Sequence, residues 1–331
     1  MNNNLDHKII TPRVAELVSS NNLEDLSTDT VSSCVQAKIK RNNISETRLT
    51  CCCSYDNYII CAGFSGDLIF VDKESLCVIR RDKVANSIIR CLKLLRYEMV
   101  LIISTDAGEI ILYDLKQNEK QFLEYSSTSI YNIVLKNHLS FITSEKNGDI
   151  FEWQYIPKIG IFRNNRIFNA VNPVFAMDII GNYLIAVNSF GEKYEYNFVK
   201  SKLKDSNLCH SNVFCLKGSK DNDIFYGLSN GTIIFEETGC NFVTLVGHQD
   251  AVRDLVFSAN NKWMFSVSKD RTVRAWYNGI PRVITCVRDY LYQIIIDESN
   301  QCLYYVDGHG DIGSITFSED IDLADNFDIV N

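Results

Sequence analysis

Two groups of side chains in this chain could do acid–base chemistry. His248 and Asp270 supply an imidazole and a carboxylate, two of the three groups of a nucleophilic triad. Asp307-Gly308-His309-Gly310-Asp311 gathers two acids and a base within five residues. Neither is complete, because a triad also needs an exposed nucleophile beside its base. The chain has no HExxH, GxSxG, phosphate-binding loop or paired-carboxylate motif to supply another route. Glycine on both sides of His309, between two apolar runs, reads as a hairpin turn. The 12 cysteines could suggest a metal or a disulfide framework. No CxxC pair occurs, however, and the triplet Cys51-Cys52-Cys53 lies on a strand-like run, where neighbours point to opposite faces and cannot converge on one tetrahedral ion. Cys61, Cys77, Cys91, Cys215, Cys286 and Cys302 fall singly on apolar runs and are expected to fill space as small hydrophobes. The chain therefore reads as a non-enzyme with no metal and no cofactor.

The elements that would hold these residues repeat. An apolar strand, a turn usually containing glycine and a second apolar strand appear as Ile59 to Phe70 and again as Leu101 to Tyr113. Five further copies have turns centred on Gly148, Gly191, Gly231, Arg271 and Gly310, so that from Gly66 onward the unit recurs every 39 to 43 residues. Glycine suits a tight hairpin because it reaches positive φ without a Cβ clash, and Asn147-Gly148 and Asn230-Gly231 are favoured hairpin dipeptides. Another strand-like run precedes each later hairpin: Ile88 to Leu95, Tyr131 to Leu135, Val174 to Ile180, Val213 to Lys217, Val252 to Ser258 and Tyr290 to Ile296. A fourth run often follows. Four short strands per roughly 40 residues is the period of a propeller blade, and the 3.6-residue period of helical solenoids is missing.

One copy carries more than spacing. Gly247-His248-Gln249-Asp250 through Lys269-Asp270-Arg271-Thr272-Val273-Arg274-Ala275-Trp276-Tyr277 closely resembles the WD repeat, with Tyr277 where aspartate is usual. The other six copies share its spacing and alternation but lack the Gly-His and Trp-Asp pairs; Trp153 is a partial echo. The resemblance implies an all-β, seven-bladed propeller of four-stranded antiparallel blades. It also implies a buried hydrogen-bonded set of His248, Ser266 or Ser268, Asp270 and Trp276, consistent with the need of a buried imidazole and indole for partners. That structural role displaces the catalytic reading of His248 and Asp270.

A ring of blades must be closed, or two strand edges stay open. After Cys302 to Phe317 the chain turns acidic, with Glu319, Asp320, Asp322, Asp325 and Asp328. The closing strand is therefore assigned to the alternating run Val35 to Arg41, with Asn326 to Val330 as the alternative. The expected organisation is an N-terminal extension over 1–34, a propeller over 35–318 and an acidic tail over 319–331. Within the extension, Thr11-Pro12 followed by Val14, Leu17 and Val18 reads as a short helix or as disorder.

Composition limits the partners. The sequence is 46% hydrophobic with a net charge of −8, which supports a folded core and works against general attraction to nucleic acid or acidic membranes. Met1-Asn2-Asn3-Asn4 does not read as a secretory leader, and no run is long enough to cross a bilayer. Free thiols fit the cytosol or nucleus. The resemblance implies partner binding on the face that bears the hairpin turns and the loops between blades. Carried over by position, that rim is Arg253 and Lys269, with Arg90, Asp106, Tyr131, Lys146, Tyr292 and His309 in matching places. These types anchor interfaces and suit an acidic peptide. The expected function is a scaffold or adaptor subunit of a protein complex. A non-catalytic subunit associated with RNA is the alternative, and a propeller hydrolase a more remote one.

Overall fold

The computed structural model describes residues 38–316 apart from 127, 238–240, 298 and 300. These residues form 28 strands in seven four-stranded antiparallel sheets, the blades of a β-propeller. Blade 1 is a plain meander of Leu49–Tyr55, Tyr58–Gly63, Asp67–Asp72 and Val78–Lys83. Blades 2 to 6 repeat it, starting from Ile89–Leu95, Ile130–Leu135, Val174–Ile180, Val213–Gly218 and Val252–Phe257. First strands of consecutive blades touch all the way round, and the first strand of blade 7, Leu291–Asp297, returns to Leu49–Tyr55. They therefore line a central channel.

Blade 7 holds only three consecutive strands, Leu291–Asp297, Cys302–Asp307 and Asp311–Thr316; its fourth is Lys38–Asn43 from the other end of the chain. The N-terminal run thus closes the ring, its described part covering 38–43 where 35–41 was expected. Residues 35–37, the candidate helix, the acidic tail and the alternative closing run lie outside the described residues. Lys38–Asn43 is also tied to both neighbouring blades. Arg41 donates to the Tyr305 hydroxyl at 2.8 Å and to Thr285 on blade 6, while Asn42 donates to the Leu76 carbonyl of blade 1 at 2.8 Å.

The core is divided as the blades are. Seven apolar clusters each straddle two consecutive blades; the one between blades 7 and 1, for example, joins Cys302, Tyr304 and Val306 to Leu49, Ile59 and Val71. Second strands such as Val100–Thr105 are buried throughout, because both faces meet neighbouring blades, whereas the outermost Lys202–Asn207 is exposed throughout. Full burial of each Ile, Leu or Val contributes roughly 1.5–3 kcal/mol, so the interfaces between blades dominate stability. The cysteines follow this geometry. Cys51 and Cys53 pack toward blade 2 and Cys52 toward blade 7, while Cys61, Cys91, Cys215 and Cys302 are buried. Cys77 and Cys286 are exposed and do not fill the core as expected. Cys77 stands in the loop before an outermost strand and Cys286 at the end of one, where no neighbouring blade covers them.

Removing Lys38–Asn43 uncovers the edge of Asp311–Thr316 and the apolar seam beside it. A chain beginning at Ile44 is expected to melt well below the full chain and to self-associate with rising concentration; size-exclusion chromatography and a melting curve check both.

Candidate partner-binding site

In blade 6 the turn between the second and third strands is held by a buried relay. The Trp276 Nε1–H donates to Ser266 Oγ at 2.7 Å, Ser266 meets His248 Nε2 at 2.6 Å, and His248 Nδ1 meets Asp270 Oδ2 at 2.8 Å. Burial lowers the His248 pKa against the pull of Asp270, so the ring is neutral, with Nδ1–H donating to the carboxylate and the serine hydroxyl donating to Nε2. Burial opposes the charge on Asp270, yet hydrogen bonds from His248, Thr272 and the Gln249 amide hold its carboxyl well below the usual range. Ser268 lies outside the relay: its hydroxyl donates to the Asp250 carbonyl and accepts from the Asp270 amide, bracing the turn. Every polar atom of the relay is turned inward and occupied, so no nucleophile is available to the imidazole.

These turns form one end of the propeller. The residue at the turn centre adopts positive φ in all seven blades, including Arg271 at 68° in blade 6, where the other blades have glycine. At Gly231 a β-carbon would stand 2.4 Å from the His248 carbonyl oxygen, which accounts for glycine there. Seven equivalent backbone bonds tie the turns to the preceding loops. Their donors are Phe64, Asp106, Lys146, Ser189, Ser229, Lys269 and Gly308. Asp106, Lys146 and Lys269 thus stand in the matching places expected. In blade 7 that place belongs to Gly308, and His309 is the exposed residue after it, its amide held by Asp307. The assignment of His309 is therefore off by one: the 16-residue step from Arg253 to Lys269 and from Arg90 to Asp106, counted from Tyr292, leads to Gly308.

Each of the seven first strands carries a β-bulge at its second residue. The bulged residues are Thr50, Arg90, Tyr131, Phe175, Phe214, Arg253 and Tyr292. A bulge breaks the alternation of the strand and re-aims one side chain. Here all seven are half-buried at the turn-bearing mouth of the channel. Six of them, all but Thr50, meet in a chain. The Arg90 guanidinium lies 5.8 Å from the Tyr131 ring, Tyr131 and Phe175 are 5.0 Å apart, and Phe175 and Phe214 are 5.7 Å apart. Arg253 then sits between Phe214 at 4.7 Å and Tyr292 at 5.5 Å. Lys269 reaches over Phe214 at 5.8 Å. Lys146 is exposed on its turn.

Four of the seven bulged residues were expected from sequence; Thr50, Phe175 and Phe214 were not. The signal was present, since positions 50, 90, 131, 175, 214, 253 and 292 recur every 39 to 44 residues at the second place of each inner strand. On the same face Val171 is 74% exposed at φ 62°, Phe190 is 67% exposed and Val246 is 63% exposed. Positive φ at a β-branched residue stores strain, a feature that clusters at functional sites. A separate apolar groove of about 500 Å³ opens between blades 5 and 6 at the opposite end, against Phe225, Leu245, Trp276 and Ile280.

Comparison with known proteins bears on this blade and on the whole ring. The family description "WD domain, G-beta repeat" matches residues 239–277, the segment that carries the relay. The chain is a seven-bladed β-propeller whose blade 6 matches the WD repeat. Curated relatives include the nuclear distribution protein nudF of Aspergillus terreus, 37% identical over 84 residues, which are 25% of this chain and 17% of that protein. The nuclear distribution protein PAC1 of Coccidioides posadasii is 39% identical over 75 residues, 23% of this chain and 14% of its own length. The chain thus spans less than a fifth of either relative. Among solved structures, the β-propeller domain of Myceliophteria thermophila Cps50 (Swd1) superposes with a TM-score of 0.68 at 13% identity, covering 85% of this chain and all of that one. The computationally designed Ika8 protein gives 0.63 at 14% identity over 83% of this chain and 97% of its own. These likenesses show the fold.

Two departures from the WD repeat have structural answers. Tyr277, in place of aspartate, packs against Trp263 with centroids 4.8 Å apart and the rings tilted by 35°. In blade 3 the relay shrinks to its last link, Trp153 Nε1–H donating to Thr143 Oγ1 at 2.7 Å. The acid cluster of blade 7 is a hairpin: Asp307 Oδ1 accepts from the His309 and Asp311 amides, and Asn43 of the closing strand donates to Asp311 at 2.7 Å. Among the described residues no group of three or more His, Cys, Asp or Glu could hold a metal ion, and no helix is long and apolar enough to cross a membrane.

Truncating Ser266 to alanine leaves the buried Trp276 indole N–H and the Nε2 of His248 each without a partner. Unfolding in urea is expected to show a loss of about 2–4 kcal/mol. Burial, with Asp311 nearby, raises the pKa of Asp307 from 3.8 to about 6. A carboxyl whose pKa is raised on folding holds its proton to higher pH in the folded state than in the unfolded one. Its contribution is therefore complete below about pH 4 and lost as pH rises through 6, with a span of about 3 kcal/mol. Asp307→Asn is expected to remove that slope relative to the wild type in melts taken between pH 4 and 7.5.

Proposed function

We propose that this WD-repeat propeller is a non-catalytic scaffold or adaptor that binds peptide segments of protein partners on its turn-bearing face, as a subunit of a larger complex in the cytoplasm or nucleus. The observation that carries the proposal is the set of seven bulged residues at the channel mouth. Aromatic rings and guanidinium groups are the residue types that dominate interface energetics, and here they form one continuous surface flanked by Val171, Phe190 and Val246. The bulges favour this use. A residue expelled from the strand alternation adds little to the core, so aromatic side chains there are better explained by what they contact outside the chain. The relay of blade 6, with its imidazole neutral and enclosed, supports a structural role and weighs against hydrolysis. An RNA-holding subunit would use the same rings for base stacking. The net charge of −8 and the pairing of Arg90 with Asp106 favour a peptide. The ten free thiols of the described residues suit a reducing compartment. The curated relatives share too short a segment to lend their roles to this chain.

The full chain, immobilised, is expected to retain specific protein partners from an extract of its native source. Phe175→Ser combined with Phe190→Ser should weaken that retention about tenfold or more with an unchanged melting curve, while Ile280→Asp in the distant groove should leave it intact. Equal retention by all three proteins would remove the face from consideration. Steeply salt-dependent retention on immobilised RNA, lost in the double variant, would replace the peptide by RNA.

A further inference from the structure

Blades 2 and 6 place an arginine at the same bulge and treat its charge in opposite ways. In blade 2 both the Nε and Nη2 of Arg90 donate to Asp106 Oδ1, at 2.9 and 2.7 Å, and Asp106 stands on the turn directly above. In blade 6 the turn position equivalent to Asp106 is Lys269. The internal counter-ion of Arg253 has been exchanged for a second cation. Among the described residues Arg253 makes no salt bridge, and its Nε is enclosed without a hydrogen-bond partner. Asp254, next in sequence, is engaged elsewhere, accepting from the Ile294 and Leu255 amides. Two rings, Phe214 and Tyr292, hold the guanidinium from either side, and Lys269 approaches both Phe214 and Tyr290.

We propose that Arg253 receives one carboxylate of a partner peptide, the side chain of a glutamate or aspartate, with an adjoining apolar residue of that peptide laid on the Phe214–Phe175–Tyr131 run. This rests on reading the face as a peptide platform and adds the chemistry of its anchor. A guanidinium fixed in orientation by flanking rings presents a ready fork to a planar carboxylate, and little side-chain entropy remains to be lost on binding. A carboxylate fits better than a phosphate. A guanidinium presents one planar fork, which the two oxygens of a carboxylate fill, whereas a phosphate brings a third oxygen to be satisfied on a largely aromatic rim. The aromatic run begins at Phe214, within reach of the residue next to the acid, and leads away from Arg253 and Lys269 toward Arg90, whose charge Asp106 already meets. The expected ligand is therefore acidic at one position and apolar beside it, not acidic throughout.

The test uses the full chain and fluorescein-labelled dodecapeptides read by anisotropy: one set with a central glutamate flanked by phenylalanine and leucine, and the same set with glutamine. The glutamate set is expected to bind at least tenfold more tightly. Arg253→Met should erase the preference while leaving the weaker glutamine binding in place, and Arg253→Lys should keep part of it. Lys269→Asp, which rebuilds the internal pair of blade 2, should erase it as well; matched melting curves verify folding of each variant. Equal binding of the two sets by the wild type, or a preference that survives both Arg253→Met and Lys269→Asp, overturns the proposal. A preference for oligouridylate over the glutamate set overturns it in favour of nucleic acid. If a chain ending at Thr316 binds the glutamate set far more tightly than the full chain, the acidic residues 319–331 occupy the site in cis, and the proposal of a separate partner falls. Failure of the platform reading is distinct: Phe175→Ser would then leave binding of both sets unchanged.

Discussion

Among the described residues every blade is covered on both flanks by other blades, so the packing of flank against flank decides the rest of the structure. Seven apolar clusters, one at each junction, follow directly. So does the need for closure, because an open ring would expose two flanks and a strand edge together. The inner strands reinforce the junctions with polar links that run from one blade to the next. Gln293 accepts from the Cys52 amide at 2.6 Å, Asp254 from the Ile294 amide at 3.1 Å, and Thr50 donates to the Ile89 carbonyl at 2.5 Å. At the end of the inner strand of blade 7, Asp297 pairs with Lys73 of blade 1 at 2.6 Å across the seam where the two ends of the fold meet. Burial of both partners makes that pair costly to break from one side.

Only blade 6 retains the full relay from tryptophan to aspartate. The other blades meet the same demand, a braced turn and a satisfied buried side chain, by local substitutes. Thr105 and Glu109 bracket the turn of blade 2, and Asn188 with Glu192 does so in blade 4, the second residue's amide bonding back to the first in both cases. Buried tyrosines such as Tyr113 and Tyr194 find carboxylate partners in Asp82 and Glu192. The motif is thus one solution to a constraint that the backbone imposes seven times, which explains how six blades can lose it and keep their shape.

That constraint is why the fold was readable from sequence while much of the site was not. Turn glycines at steps of about 40 residues and alternating apolar runs mark blades whatever their motifs, and the inner strands expected from Val174 to Ile180 and Val213 to Lys217 match Val174–Ile180 and Val213–Gly218 closely. The exposed Cys77 and Cys286 escaped because apolar neighbours in sequence do not reveal which strand is outermost. Arg253 and Lys269 could be placed because their blade carries the explicit motif. Phe175 and Phe214 were passed over because an aromatic residue on an apolar run reads as core, and only the bulge turns it out of the core. A β-bulge leaves no composition signature of its own. Its position becomes visible only when all seven inner strands are superposed.

The bulge also separates two kinds of selection. Residues on either side of it, such as Val252 and Leu255, are locked into junctions where a change of volume disturbs two blades at once. Outside blade 1, where Thr50 bonds to blade 2, the expelled residue stands off both junction cores, so arginine, tyrosine and phenylalanine can all occupy it with the same backbone. Six sites of this kind, brought together at one opening and freed from the demands of folding, allow a propeller to exchange one client for another without rebuilding its scaffold.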